Sequence, residues 1–220
     1  KQDLSLIFSN PTRFVDNIQV STSLPTSLDI CDKLYGRNDE MAKLNALYQQ
    51  CINENSFGGV IISGGAGVGK SCLALYTRQL SHLSNGYFCT SKFEQNQMIA
   101  RPLATIGTVF NTLCNLYACS ATGDQLKLVE KELETGLGSQ AGLLAVVVPN
   151  LAKLLPSYVR AETASNCIDA AVSMRYLFGE LLRAISSHSS RPITLFIDDI
   201  QFADPVSLLM IHHLVFNANK

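Results

Sequence analysis

The chain has no tryptophan, no surplus of basic residues and little charge of either sign. Of its 220 residues, 16% are charged, and the formal net charge is −1. Nucleic-acid-binding proteins usually carry clustered Lys and Arg residues, so this balance argues against DNA or RNA as the main partner, although a local basic patch is compatible with it. Hydrophobic residues make up 47% of the chain, which is enough for a sizeable core and excludes a disordered polypeptide.

The seven cysteines lack the spacing of a metal site or a disulfide framework. Their number is odd, and no C-x-x-C pair occurs. With no signal peptide at its start, the chain is predicted to occupy a reducing, intracellular compartment, the cytoplasm. We interpret the cysteines as small hydrophobic core residues.

Long apolar runs are also missing. A membrane-spanning helix needs roughly 20 predominantly apolar residues. The longest candidate, 142–156, is shorter than that and contains Pro149, Asn150 and Lys153. We predict a buried amphipathic helix there and no membrane partner.

The first residues differ in character from the rest. Residues 1–33 are polar and contain two prolines, so we predict an N-terminal arm or linker, followed by one domain over 34–220. Because the chain begins with Lys1 and not Met, we expect it to be part of a longer protein.

The order of apolar segments predicts an α/β fold. Short runs rich in apolar and β-branched residues at 58–63, 86–93 and 191–200 are predicted strands, and helical spacing follows each of them. The stretch 102–188 is predicted to be a helical insert of three or four helices. Strands that alternate with helices imply a parallel sheet with helices on its faces.

A glycine-rich turn follows the first predicted strand. Residues 64–71, GGAGVGKS, match G-x-x-x-x-G-K-[ST] at every fixed position. Glycines permit positive φ angles and let backbone amides approach an anion, and the helix that begins near Lys70 adds partial positive charge. We predict that Lys70 reaches the β- and γ-phosphates of a nucleotide and that the Ser71 hydroxyl ligates Mg²⁺. The alternative is a glycine-rich strand-to-helix turn with an incidental lysine. The predicted nucleotide-binding residues of this turn are Gly64, Gly65, Ala66, Gly67, Val68, Gly69, Lys70, Ser71 and Cys72.

Two adjacent carboxylates end the last predicted strand. In ITLFIDD, apolar residues precede Asp198 and Asp199, which places the pair at the carboxyl end of the strand, where parallel-sheet proteins bind ligands. We assign Asp198 to the Mg²⁺ shell, through a water molecule, and Asp199 to polarising the attacking water; with Lys70, Asp199 forms the predicted catalytic set. The alternative is a strand that merely ends in turn-forming acids.

Together these stretches resemble a known family. KLYGRNDEM, GGVIISGGAGVGKS, KFEQNQ with RPLATI, and ITLFIDDIQFADPVSL are similar to the AAA-type ATPase domain of STAND signalling NTPases. The resemblance is greatest to the origin-recognition-complex-like AAA ATPase module of large multidomain protein kinases, hybrid sensor histidine kinases and nucleotide cyclases. It covers about residues 30–217. It implies a three-layer α/β/α P-loop NTPase fold of ASCE type, with Walker A and Walker B motifs and with ATP or ADP and Mg²⁺ as ligands.

The resemblance also implies roles outside these motifs. Gly36 and Arg37 match an element that is expected to contact the nucleotide from outside the sheet, although Arg37 could equally be a solvated residue at a helix start. Asp204 is predicted to cap the helix that begins at Pro205. The chain ends at Lys220, before the family's next strand, sensor residue and lid. We therefore expect weak nucleotide binding and slow or absent hydrolysis from this fragment.

These observations predict a regulatory Mg-ATPase module that switches an attached signalling domain, with nucleotide-dependent self-association as a further expectation. A nucleotide-gated scaffold without turnover is the main alternative. A P-loop small-molecule kinase is disfavoured because no arginine-rich lid is visible, and a replication initiator because the charge is neutral. The guanine-selecting N-K-x-D pattern is absent, which favours ATP only mildly.

Overall fold

Helices dominate the structure, and they surround one short parallel sheet. The computed structural model describes residues 36–95, 102–156 and 170–217, all of which belong to one unit, Leu34–Lys220. The predicted arm over 1–33 lies outside the described residues. The α-helices of the described part are α1 Asn38–Glu54, α2 Lys70–Leu83, α3 Ala104–Ser120, α4 Gly123–Leu137, α5 Ala141–Val147, α6 Ala170–His188 and α7 Pro205–Asn217.

Two of the three predicted strands form the sheet. Strand β1, Tyr87–Lys92, pairs in parallel with β2, Ile193–Asp198, in a register that sets Tyr87 opposite Ile193 and Lys92 opposite Asp198. The chain crosses from β1 to β2 through α3–α6, as parallel pairing requires. The predicted parallel α/β arrangement is present to this extent.

The prediction of a strand over 58–63 was wrong. This segment is not part of a strand in the structure, and Val60 and Ile61 are 50% and 88% exposed. A strand exists only when another strand satisfies its backbone hydrogen bonds, and neither β1 nor β2 pairs with this segment. Its β-branched composition signalled a strand, but no described strand completes it.

The hydrophobic core lies where α3, α4 and α6 pack together beside the sheet. Phe110 of α3 and Phe178 of α6 meet edge to face with ring centroids 4.7 Å apart, and both are buried. The predicted helices within 102–188 are therefore observed, except for 157–169, which lie outside the described residues. Fully buried members of this core include Ile106, Val109, Leu113, Val129, Leu133, Leu177, Leu181 and Ile185.

The apolar stretch 142–156 was predicted to form one helix. This prediction was wrong, because the stretch forms two short helical segments. Helix α5 ends at Val147, and a 3₁₀ helix runs over Pro149–Lys153. Proline has no N–H to continue the α-helical ladder, so the helix stops before it. Leu144 and Leu151 are nevertheless buried, as predicted. None of the helices in the described ranges is long and apolar enough to cross a membrane.

The predicted cap of the last helix is confirmed. One carboxylate oxygen of Asp204 accepts a hydrogen bond from the Ser207 N–H at 2.9 Å, and the other accepts from the Ser207 hydroxyl at 2.5 Å. Pro205 is the first residue of α7. This cap fixes the path of the chain directly after the acidic pair at the end of β2.

Ion pairs fasten α4 to α6. The Glu132 carboxylate contacts the Arg183 guanidinium and lies 2.6 Å from His188 Nε2, and Arg183 also pairs with Glu180 at 2.6 Å. Hydrogen bonding to Glu180 is the main cause that raises the pKa of Arg183. These residues line a groove of about 560 Å³, and their charged groups mainly satisfy one another. We interpret this cluster as a structural clamp.

The cysteines of the described residues lie partly in the core and partly on the surface, whereas Cys31 and Cys167 lie outside the described residues. Cys89 and Cys114 are buried, and burial raises the pKa of each thiol to about 12. Cys72 and Cys119 are exposed, so the prediction that all the cysteines are core residues was wrong for these two. Both lie on exposed helix surfaces, and the spacing of the cysteines along the sequence does not indicate which of them are exposed.

Candidate functional site

The glycine-rich turn forms an exposed loop that leads directly into α2. Gly67 and Gly69 have φ angles of +76° and +84°, a region that residues with a side chain rarely adopt. Gly69 is the N-cap of α2, and no side chain caps this helix start. The first-turn N–H groups of α2 therefore lack a side-chain acceptor, and the partial positive charge at this helix end faces the loop, which favours an anion.

Lys70 is the first residue of α2, and its side chain turns back along the loop. The ammonium Nζ donates hydrogen bonds to the carbonyl oxygens of Gly64 at 3.0 Å and Gly65 at 2.7 Å. These bonds hold the positive charge of Lys70 against the loop backbone. The ammonium and the uncapped start of α2 thus both lie beside the loop.

Ser71 and Asp198 meet although 127 residues separate them. The Ser71 hydroxyl donates to Asp198 Oδ2 at 2.9 Å, and Asp198 Oδ1 accepts from the Asp199 N–H at 2.9 Å. The contact arises because α2 follows the loop and β2 ends beside it. Two predicted Mg²⁺-binding groups are therefore adjacent.

The oxygen pair fits a magnesium ion. Mg²⁺ prefers octahedral oxygen ligands at about 2.1 Å, so neighbouring ligands are about 3 Å apart. Ser71 Oγ is a hard oxygen donor that can occupy one of these positions, and Asp198 Oδ2, 2.9 Å from Ser71 Oγ, can hold a water molecule in a neighbouring one. These two residues could hold Mg²⁺ beside bound phosphates.

Asp199 begins the turn after β2 and is held by two side chains. Its backbone is left-handed, with φ 53° and ψ 46°. Lys92 Nζ lies 2.9 Å from Asp199 Oδ2, and Gln201 Nε2 donates to Oδ1 at 2.9 Å. The hydrogen bond from Lys92, followed by that from Gln201, lowers the pKa of Asp199, and the same contact with Asp199 raises the pKa of Lys92.

Sequence reasoning missed Lys92. It is the last residue of β1, and the parallel register sets it opposite Asp198, next to Asp199. A signal was available: a lysine that ends one strand and an acidic pair that ends a neighbouring parallel strand meet at the same sheet edge. This signal could be used only by assuming that the two strands pair with each other.

Arg37 contacts the glycine-rich loop. Its guanidinium donates to the Val68 carbonyl at 2.5 Å and lies 3.4 Å from the Glu40 carboxylate. Gly36, just before it, has a φ angle of +72°. Arg37 thus sits beside the predicted nucleotide site, while direct contacts of Gly36, Arg37 and the exposed Cys72 with a nucleotide stay predictions.

Comparison with known proteins agrees with this geometry. The family model described as the AAA ATPase domain matches residues 33–219, so the chain belongs to the AAA ATPase domain family. The chain is also similar to the hybrid signal transduction histidine kinase G of Dictyostelium discoideum, with 29% identity over 194 residues. That match covers 84% of this chain but 5% of the length of the relative. No solved structure matches the chain significantly.

Proposed function

We propose that this chain is a Mg-ATP-binding regulatory ATPase module of a larger signalling protein, which hydrolyses ATP slowly and thereby switches an attached output domain. The observation that carries the proposal is the contact between Ser71 and Asp198 beside the glycine-rich loop. A loop alone could bind many anions, whereas a loop with an adjacent hydroxyl and carboxylate suits a nucleotide with its metal ion.

Each residue of the site has a distinct part in this proposal. The backbone amides of the loop and the start of α2 bind the phosphates, and Lys70 exchanges its bonds to Gly64 and Gly65 for phosphate oxygens. Ser71 and Asp198 hold Mg²⁺, which when bound neutralises negative charge on the β- and γ-phosphates. Asp199 accepts a hydrogen bond from water and orients it toward the γ-phosphate.

The regulatory role is supported by the signalling protein in which a similar segment occurs. The Dictyostelium relative is a hybrid signal transduction histidine kinase, and this chain corresponds to a small part of it. We infer that ATP and ADP states of this module act on neighbouring signalling domains of the same polypeptide. The alternative is a nucleotide-gated scaffold, which would need the same binding residues but no working Asp199. A small-molecule kinase would need a site for a phosphate acceptor, and no contact in the described residues indicates one.

Single-turnover hydrolysis separates the ATPase from the scaffold. Protein in excess over radiolabelled ATP is followed with Mg²⁺, and the wild type is compared with Asp199→Asn and with Asp124→Asn, a matched change on the surface of α4. The ATPase proposal predicts phosphate release that Asp199→Asn slows by about 100-fold or more and Asp124→Asn leaves unchanged. Binding without phosphate release in the wild type, also in a longer version of the protein, would establish the scaffold instead.

A further inference from the structure

Helix α2 ends in a left-handed cap formed by Asn85. This residue is exposed, has a φ angle of +53°, and donates its N–H to the His82 carbonyl at 3.0 Å. The next N–H, of Gly86, donates to the Ser81 carbonyl at 2.7 Å. This pair of hydrogen bonds is the Schellman motif, which satisfies carbonyl groups at the end of a helix. Asparagine suits the left-handed position because it adopts positive φ angles more readily than most residues with a side chain.

The residue after Asn85 has to be glycine. A Cβ on Gly86 would lie 2.8 Å from the Pro192 carbonyl oxygen and 2.8 Å from Ser81 Oγ, closer than real Cβ atoms come to other atoms. The carbonyl is also held in place, because it accepts a hydrogen bond from the Tyr87 N–H at 2.8 Å where β1 begins. The cap thus favours asparagine and the packing requires glycine, and together they give the dipeptide Asn-Gly, which occurs once in the chain.

This dipeptide is chemically reactive. The backbone nitrogen of the glycine can attack the side-chain carbonyl carbon of the asparagine, because no side chain on the glycine shields it. A bond forms between that nitrogen and Cγ, the bond from Cγ to the side-chain nitrogen breaks, and the side-chain nitrogen leaves as ammonia with the proton of the attacking amide. Water then opens the resulting succinimide ring at either carbonyl and leaves aspartate or isoaspartate.

We propose that Asn85 is a site of spontaneous deamidation and that the cap of α2 controls its rate. The Gly86 N–H that must lose its proton is the one that donates to Ser81, so the closed cap holds the nucleophile. The last turn can open locally, because Leu83 is 86% exposed and contributes little packing. Two ordinary hydrogen bonds close the cap, which corresponds to deamidation about 30-fold slower in the folded protein than in the unfolded chain. The inference goes beyond the proposed function and does not depend on it.

The reaction also weakens the cap that restrains it. Aspartate at position 85 adds a negative charge at the carboxyl end of α2, where the helix carbonyls disfavour it, and isoaspartate lengthens the main chain between α2 and β1. Hydrogen exchange of the Gly86 N–H should therefore be faster in Asn85→Asp than in the wild type. Equal or slower exchange would contradict this step.

The end of α1 provides a matched control within the same chain. Asn55 is exposed, has a φ angle of +47° and donates to the Ile52 carbonyl at 3.3 Å. The Ser56 N–H donates to the Cys51 carbonyl at 3.0 Å, so the cap is of the same kind. The residue after this asparagine, however, carries a side chain that shields its backbone nitrogen. Asn55 should therefore lose its amide more slowly than Asn85.

Peptide mapping by mass spectrometry tests the proposal on the whole chain, incubated at neutral pH with and without guanidinium chloride. We expect aspartate and isoaspartate forms, separated by chromatography, to accumulate faster at Asn85 than at Asn55. The denaturant should raise the rate at Asn85 about 30-fold. Asn85→Gly keeps a residue suited to the left-handed position and should give neither product in this peptide. A rate at Asn85 no greater than at Asn55, or equal rates with and without denaturant, would overturn the proposal.

A pair of variants tests control by the cap. Leu83→Gly loosens the last turn of α2, and Leu83→Ala removes the same exposed side chain without the added backbone freedom. Because glycine disfavours a helix relative to alanine, Leu83→Gly should raise both the hydrogen-exchange rate of the Gly86 N–H and the deamidation rate about 2- to 5-fold above those of Leu83→Ala. Equal exchange of the buried α3 amides in both variants separates opening of the cap from global unfolding. Faster exchange at Gly86 without faster deamidation would refute control by the cap.

Discussion

Replacing Asp198 by asparagine tests whether the Ser71–Asp198 pair is a magnesium site. The substitution keeps the shape of the side chain and removes its charge. An asparagine can still accept from the Asp199 N–H and donate to Ser71 Oγ, so the fold should lose less than about 1 kcal/mol. The loss should instead appear in the affinity for the metal ion.

The size of that loss follows from the exposure of the site. Unit charges about 4 Å apart in water interact by about 1 kcal/mol, so a carboxylate that holds Mg²⁺ through water contributes about 2 kcal/mol. Because about 1.4 kcal/mol corresponds to a factor of ten, Asp198→Asn should weaken Mg²⁺ binding about 30-fold. A direct ligand bond would make the loss larger.

The assay is a titration of Mg²⁺ into protein saturated with ATP, followed by calorimetry. Asp124→Asn, with the same loss of charge at the start of α4, should behave like the wild type. Without Mg²⁺, Asp198→Asn should bind ATP as tightly as the wild type or more tightly, because one charge that repels the phosphates is gone. Equal Mg²⁺ affinity in Asp198→Asn and the wild type would refute our assignment of Asp198.

Three further predictions concern labelling and stability. A thiol reagent, with the modified sites identified by peptide mapping, should modify the exposed Cys72 and Cys119 before the buried Cys89 and Cys114. Mg-ATP should protect Cys72 but not Cys119 from this reagent, and equal protection of both would contradict a ligand at the loop. Gly107→Ala should lower the free energy of unfolding by about 1–3 kcal/mol in urea titrations, because the added Cβ would lie 2.5 Å from Val147 Cγ1. Gly123→Ala is the control and should be neutral or stabilising, because the space around Gly123 is open. Asp204→Ala should cost about 1–2 kcal/mol by the same measurement through loss of the α7 cap, and an unchanged midpoint would show that the cap contributes nothing.

Features encoded by neighbouring residues were predictable from the sequence. The glycine-rich loop, the start of α2 at Lys70 and the cap at Asp204 all depend on a few consecutive residues whose backbone preferences are strong. The meeting of the loop with the acidic pair was predicted on the expectation that both follow strands of one parallel sheet. In the structure only the acidic pair follows a strand, and the contact is made by Ser71 at the start of α2.

Features that depend on distant partners were not predictable in the same way. Residues 58–63 have the composition of a strand, but strand formation needs a partner that the composition does not supply. Lys92 reaches Asp199 only because β1 and β2 are neighbours, and Glu132 pairs with Arg183 only because α6 packs beside α4. In each of these cases tertiary packing decided what the local pattern left open.

Calorimetry of the wild type and Lys70→Ala tests whether the loop at 64–71 binds Mg-ATP. ATP and ADP are titrated with and without Mg²⁺, and Lys131→Ala serves as the control for loss of a lysine. We predict Mg²⁺-dependent binding of ATP that Lys70→Ala weakens about tenfold or more and Lys131→Ala leaves intact. Binding of equal strength in Lys70→Ala and the wild type would contradict the account, because the ammonium that lies on the loop backbone would then have no part in holding the phosphates.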